Sequence, residues 1–108
     1  MTDIKDEVYI RRLLRALDQN DIPEHMHGGI FRYLTNGVSP GGFLTAVICN
    51  NLHDAVRKAD DVNIDLLPAY VNFFHNNAPV ACWRSRSAFD GWMKKGGLVG
   101  LEKTEGEK

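Results

Sequence analysis

Long apolar runs are missing from this sequence: none approaches the roughly 20 residues that cross a bilayer as a helix. A membrane-spanning role is therefore not expected. A basic excess is missing as well. Thirteen Lys and Arg face fourteen Asp and Glu, a net charge of −1, whereas dedicated nucleic-acid binders carry a strong positive balance. Only a local basic patch stays open. Cysteine is scarce, and Cys49 and Cys82 lack the close-pair spacing of a zinc site. No internal repeat, linker or low-complexity stretch occurs, so repeat arrays are set aside. Thr2-Asp3-Ile4-Lys5-Asp6-Glu7 is acidic where a secretory signal is basic, and no apolar run follows. The expectation is a soluble, cytoplasmic protein with reduced thiols.

What remains is ordinary globular composition, 44% hydrophobic and 25% charged over 108 residues. That length suits one domain able to fold without metal or disulfide. The expectation is a single domain over 1–101, with a polar, disordered tail at 102–108.

The clearest pattern runs from Gly37 to Asp60. Apolar residues at Leu44, Val47, Ile48, Leu52, Ala55, Val56 and Ala59 recur at gaps of three and four, which is a helical face. Ser39 suits the cap and Pro40 the first helical position. This predicts an all-α, compact single-domain bundle of about five helices around a central helix 40–60. Its outer face carries Asn50, Asn51, Asp54, Arg57 and Lys58, with Asp54 and Lys58 spaced as an i,i+4 ion pair.

Four further helices follow from similar signals. Helix one spans Asp3 to about Asn20, with Ile10, Leu13, Leu14 and Leu17 on one face, and Asp3, Asp6 and Glu7 suit the positive end of its dipole. Helix two starts near Pro23 and ends at Asn36, with Gly37 as a left-handed terminator. Gly28-Gly29 inside it marks either a close helix approach, for instance by the Gly41-Gly42 end of helix three, or a poorly formed first turn. Helix four lies within Asn63 to Asn77 and carries Leu67, Tyr70, Val71 and Phe74. Pro68 is tolerable there if Asp65 caps and the helix starts at Leu66. A loop from Ala78 to Arg84 leads to a short last helix with Phe89, Trp92 and Met93, capped by Ser85 or Ser87 and closed by Gly96-Gly97.

Candidate sites are few. Helix two, the turn and helix three have a helix-turn-helix outline, but Gly41, Gly42, Phe43, Leu44 and Thr45 stand where base-reading side chains belong. His25 and His27, two apart, point to nearly opposite sides of a helix and cannot share a metal there. No metal and no cofactor is expected. Cys82 with His75 lacks the surroundings of a cysteine enzyme, no phosphate loop is present, and Asp60-Asp61 reads as a helix cap before an acid–base pair. The expectation is a non-enzymatic protein.

The loop Ala81-Cys82-Trp83-Arg84-Ser85-Arg86 is the best surface candidate, since Trp and Arg are enriched in binding hot spots. Trp83 reads first as a plug over helix ends and second as a stacking surface. Arg84 and Arg86 read first as contact residues. Arg11, Arg12 and Arg15 form a second basic cluster, ordinarily a solvated helix face.

Ile22-Pro23-Glu24-His25, Gly37, the block Pro40-Gly41-Gly42-Phe43-Leu44-Thr45-Ala46-Val47, Asn51-Leu52, Ala59-Asp60, Asn77-Ala78-Pro79, Cys82-Trp83 and Trp92 together resemble a group of small proteins encoded by tailed bacteriophages and prophages, usually without an assigned function. The resemblance runs from about Ile22 to Gly97, and the Pro40–Val47 block is its most specific part. Group members tend to have Asn-Asp where this chain has Asn50-Asn51, and Gly-Ser-Pro where it has Arg84-Ser85-Arg86. The second departure makes any role of that loop particular to this chain. The resemblance implies a phage accessory protein in the cytoplasm of the bacterial host.

The leading expectation is therefore a binding protein that docks on a host or phage protein, for instance to inhibit a defence complex or redirect a host enzyme. The rival is a nucleotide or nucleic-acid ligand protein, with Arg11, Arg12, Arg15, Arg84 and Arg86 on phosphates and Trp83 stacking. A third expectation is a homo-oligomer that presents the exposed end of helix three to itself.

Overall fold

A computed structural model describes residues 4–100, with side chains from residue 8 onward. The expected tail at 102–108 and the dipole roles of Asp3, Asp6 and Glu7 lie outside that description.

Among the described residues the chain is all-helical, with no strand. Seven α-helices and one 3-10 turn follow in order: α1 Ile4–Gln19, α2 Glu24–Asn36, α3 Gly42–Ile48, α4 Leu52–Lys58, α5 Asp61–Asp65, α6 Leu67–Asn77, the 3-10 turn Val80–Cys82, and α7 Arg86–Lys95. The all-α class holds, but about five helices was too few. The excess comes from a break inside the segment read as one helix 40–60, from a short helix α5 before the expected start at Leu66, and from the 3-10 turn.

The first break corrects the central helix 40–60. After Ile48 the chain turns at Asn50, whose φ is 62°. Asn50 N–H donates to the Val47 carbonyl at 3.1 Å and Asn51 N–H to the Ala46 carbonyl at 2.8 Å. These two bonds close α3 with a left-handed residue in the terminating position, a role asparagine tolerates. Asn51 then caps α4, its side-chain oxygen accepting from Asp54 N–H at 3.2 Å. The start is later than expected too. Gly41 has φ 98° and precedes α3, so Pro40 stands outside the helix and Ser39 does not cap it. Only α3 is central. Five of its seven residues are buried, and it packs on α4, α6 and α7.

The second difference is α5, which ends just before Leu66. Asp60 caps α5, accepting from Val62 N–H at 3.1 Å and Asn63 N–H at 2.7 Å, so the expected cap is there but it starts α5 and does not end a helix 40–60. Asp65 ends α5 and does not cap α6, which starts at Leu67 after Leu66 and holds Pro68 in its first turn. The expected Asp54–Lys58 pair does not form either. Asp54 binds Asn51 and lies 3.7 Å from His53.

The other ends match their signals. Gly37 closes α2 with φ 69°, Ser85 caps α7 by accepting from Ala88 N–H at 3.0 Å, and Gly96 closes it with φ 82°. Neither reading of Gly28-Gly29 holds: the helix is well formed, and its neighbours stand at ordinary contact distance from Gly29. A Cβ there would lie 3.7 Å from Leu44 Cδ1 and 3.8 Å from the Pro40 carbonyl, while Gly28 lies under the Arg32 guanidinium.

The core joins Leu13 and Leu17 of α1, Ile30, Tyr33 and Leu34 of α2, Leu44 and Ile48 of α3, Tyr70, Phe73 and Phe74 of α6, then Cys82, Phe89 and Trp92. Leu14, expected on the buried face of α1, is exposed. Buried polar atoms in the core are partnered. Tyr33 donates to the Cys82 carbonyl at 2.7 Å, Trp92 Nε1–H donates to the Tyr33 carbonyl at 2.9 Å, and Tyr70 donates to Asn63 Oδ1 at 2.6 Å. Beside that ladder the ends of α2 and α7 touch backbone to backbone. A Cβ on Gly97 would lie 2.6 Å from Gly37 N, and one on Gly37 would lie 2.9 Å from Gly97 N.

Candidate functional site

The 3-10 turn Val80–Cys82 delivers Trp83 to the core edge, 9% exposed. Its ring centroid lies 6.2 Å from that of Phe74 and 6.2 Å from that of His75, the latter edge-on. Arg84 covers it, with the guanidinium carbon 5.2 Å from the ring centroid. Trp83 is thus the plug, and its faces are closed to a stacking base. Arg84 itself is exposed and adopts φ 94°, a region that side chains other than glycine rarely occupy. A bond from Arg84 N–H to the Ile48 carbonyl, 2.8 Å, pins it there.

Arg86 opens α7. Its Nε donates to Asp90 at 3.2 and 3.3 Å, and its guanidinium carbon stands 5.5 Å from the Phe89 centroid. Arg11, Arg12 and Arg15 are exposed along α1. Arg12 lines a hollow of about 250 Å³ with Tyr9, Leu13, Asn76 and Asn77. That hollow contains neither Arg84 nor Arg86.

Neither thiol sits in a catalytic setting. Burial pushes Cys82 up to about 12, so it stays protonated at neutral pH, and no hydrogen bond joins it to His75. Burial also raises Cys49, against the pull of Arg86. His27 Nε2–H donates to the Ile22 carbonyl, 2.6 Å away. Among the described residues no three His, Cys, Asp or Glu side chains gather as a metal set.

Two features were not found by reading the sequence, and both follow from the turn at Asn50-Asn51. The turn swings α4 across α3 and leaves a shallow notch of about 50 Å³ floored by Ala46, Val47 and Ala55 and edged by Leu52, Leu67 and Val71. Leu52 is 71% exposed and Val71 46%, and Val56, one helical turn after Leu52, is also 46% exposed. On the other side of Asn51 lies a hollow of about 290 Å³, bordered by Thr45 and Cys49 from the α3 segment, Asp54 and Lys58 from α4, and Arg86 from α7. The Asn50-Asn51 pair was the available signal for both, since asparagine is at home in left-handed turns and at caps.

No family model matches this chain, and neither a curated protein nor a solved structure was found similar to it.

Proposed function

We propose that this chain is a non-enzymatic binding protein of phage origin that docks on a host or phage protein in the bacterial cytoplasm, for example to inhibit a defence complex or redirect a host enzyme. The observation that carries the reading is the apolar face of α4 and α6. Single exposed apolar residues are commonplace, but Leu52 and Val71 border one notch and Val56 extends the same face of α4. A contiguous exposed apolar surface is the usual mark of a contact site. The phage origin is supported by the Pro40–Val47 block and its companions. The docking face differs from the one expected at the Trp83 loop, where the aromatic anchor is already occupied within the chain.

The test compares capture from bacterial lysate by wild type, Leu52→Asp and Val71→Asp, with and without nuclease. Both sites are at the surface, so the variants keep the wild-type melting temperature. A dominant protein that survives nuclease and is lost with either substitution supports the reading. Equal capture by all three chains sinks it. Light scattering on the same samples adds a second check: a wild-type dimer dissolved by Leu52→Asp reassigns the face to a second copy.

A further inference from the structure

We propose that the hollow between α3, α4 and α7 holds a phosphoryl group, gripped by Thr45, Lys58 and Arg86. The proposal is independent of the docking face. The fold leaves several donors around this hollow unused. Lys58 has no carboxylate within ion-pair distance among the described residues, because Asp54, four residues earlier, is engaged with Asn51 and near His53. Arg86 gives only its Nε to Asp90, which leaves both terminal guanidinium nitrogens as donors. The Thr45 hydroxyl makes no hydrogen bond with the described residues, and it borders the same hollow.

These donors come from three separate elements. Their convergence depends on details of the packing. Gly42 leaves room for the Lys58 stem: a Cβ there would stand 3.3 Å from Lys58 Cδ and 3.7 Å from Nζ. Ser85 fixes the start of α7, so Arg86 occupies its first position. The Arg84–Ile48 backbone bond holds the loop before α7 against the end of α3. Arg86 borders the hollow together with Cys49, whose thiol feels both Arg86 and its partner Asp90.

The chemistry favours phosphoryl over carboxylate. Three donor groups from three elements around one hollow match a tetrahedral oxyanion, which offers three or more acceptor oxygens, better than a planar group with two. Lys58 and Arg86 face Asp54 on the rim, and Asp90 takes only the Nε of Arg86. The volume of about 290 Å³ also leaves space for whatever carries the group.

The experiment is an amide-resonance titration of the whole chain with inorganic phosphate, at ionic strength held constant with chloride. Parallel titrations use adenosine monophosphate and acetate. Saturable shifts at Thr45, Cys49, Asn51 and Lys58 are expected with phosphate. Lys58→Gln and Arg86→Gln should each weaken binding by about tenfold or more, the worth of a hydrogen bond to a charged group. Arg12→Gln, which removes a charge from the other hollow, should leave it unchanged. Tighter binding of adenosine monophosphate assigns the group to a nucleotide, and equal binding assigns it to phosphate alone. Shifts that never saturate, or that survive Lys58→Gln and Arg86→Gln, overturn the proposal. So does acetate binding as tightly as phosphate.

Discussion

Tyr33 carries more of this structure than its size suggests. It is fully buried, its ring stacks 5.4 Å from that of Phe89, its hydroxyl donates to the Cys82 carbonyl, and its own carbonyl accepts from Trp92. Tyr33→Phe keeps the ring but strands a buried carbonyl, which costs about 1–3 kcal/mol; urea unfolding of the two chains measures it. Burial of acids at neighbouring sites sets a pH limit. Desolvation raises Tyr9 and Tyr70 from 10.0 to about 12 and Cys82 from 9.0 to about 12, and moves Tyr33 up as well. The unfolded chain releases these protons from about pH 9 upward, whereas the folded chain holds them until about pH 12. Folding thus binds more protons in that window, and stability falls as pH rises through it. The urea midpoint should decline from about pH 9, and less steeply in Cys82→Ala, whatever that variant loses at neutral pH. A midpoint that stays level to about pH 11 contradicts the assignment. The same burial makes Cys49 the thiol that an alkylating reagent reaches first, with Cys82 labelled only on unfolding.

At the scale of elements, the turn between α3 and α4 is the feature to test. Asn50→Gly keeps the left-handed conformation free of strain, while Asn50→Ala costs roughly 1 kcal/mol, since alanine resists positive φ. Asn51→Ala removes the cap of α4 and costs about 1 kcal/mol more. Thermal melts of the three variants should therefore rank Asn50→Gly highest. This turn also marks where the sequence was legible and where it was not. The ends at Gly37, Ser85 and Gly96 were readable because each is set by one residue acting on its own neighbours. Asn50 and Asn51 were not, because both fall on the polar face and the apolar spacing from Leu44 to Ala59 continues across them. Leu52 and Val56 fit that spacing but lie in solvent, a consequence of the turn and not of their identity. The hollow was hidden for the same reason. Arg86 was picked out as a contact residue, yet its companions Thr45 and Lys58 reach it only after α4 folds back and α7 docks. Trp83 stayed open between plug and platform until Phe74 and His75 arrived from α6.

At the scale of the whole molecule, the contact between Gly37 and Gly97 joins the ends of two helices far apart in the chain. Both residues have φ 69°, and neither has space for a side chain. Gly97→Ala should cost about 2–5 kcal/mol, the sum of a strained backbone and overpacking. Gly91 offers the contrast. It sits inside α7 with nothing within 4 Å of an added Cβ, so Gly91→Ala should stabilise by about 0.5–1 kcal/mol through helix propensity. Calorimetry of the pair should show melting temperatures moving in opposite directions. The glycine contact also bears on when the protein can fold during its synthesis. Until residues 86–97 leave the ribosome, the nascent chain has no Trp92 to bond the Tyr33 carbonyl, no Phe89 to stack on Tyr33, and no partner for the end of α2. Helices can form early, since they are local, but closing so long a loop must wait. The growing chain should stay open to proteases until residues 86–97 have emerged, and then become resistant in one step.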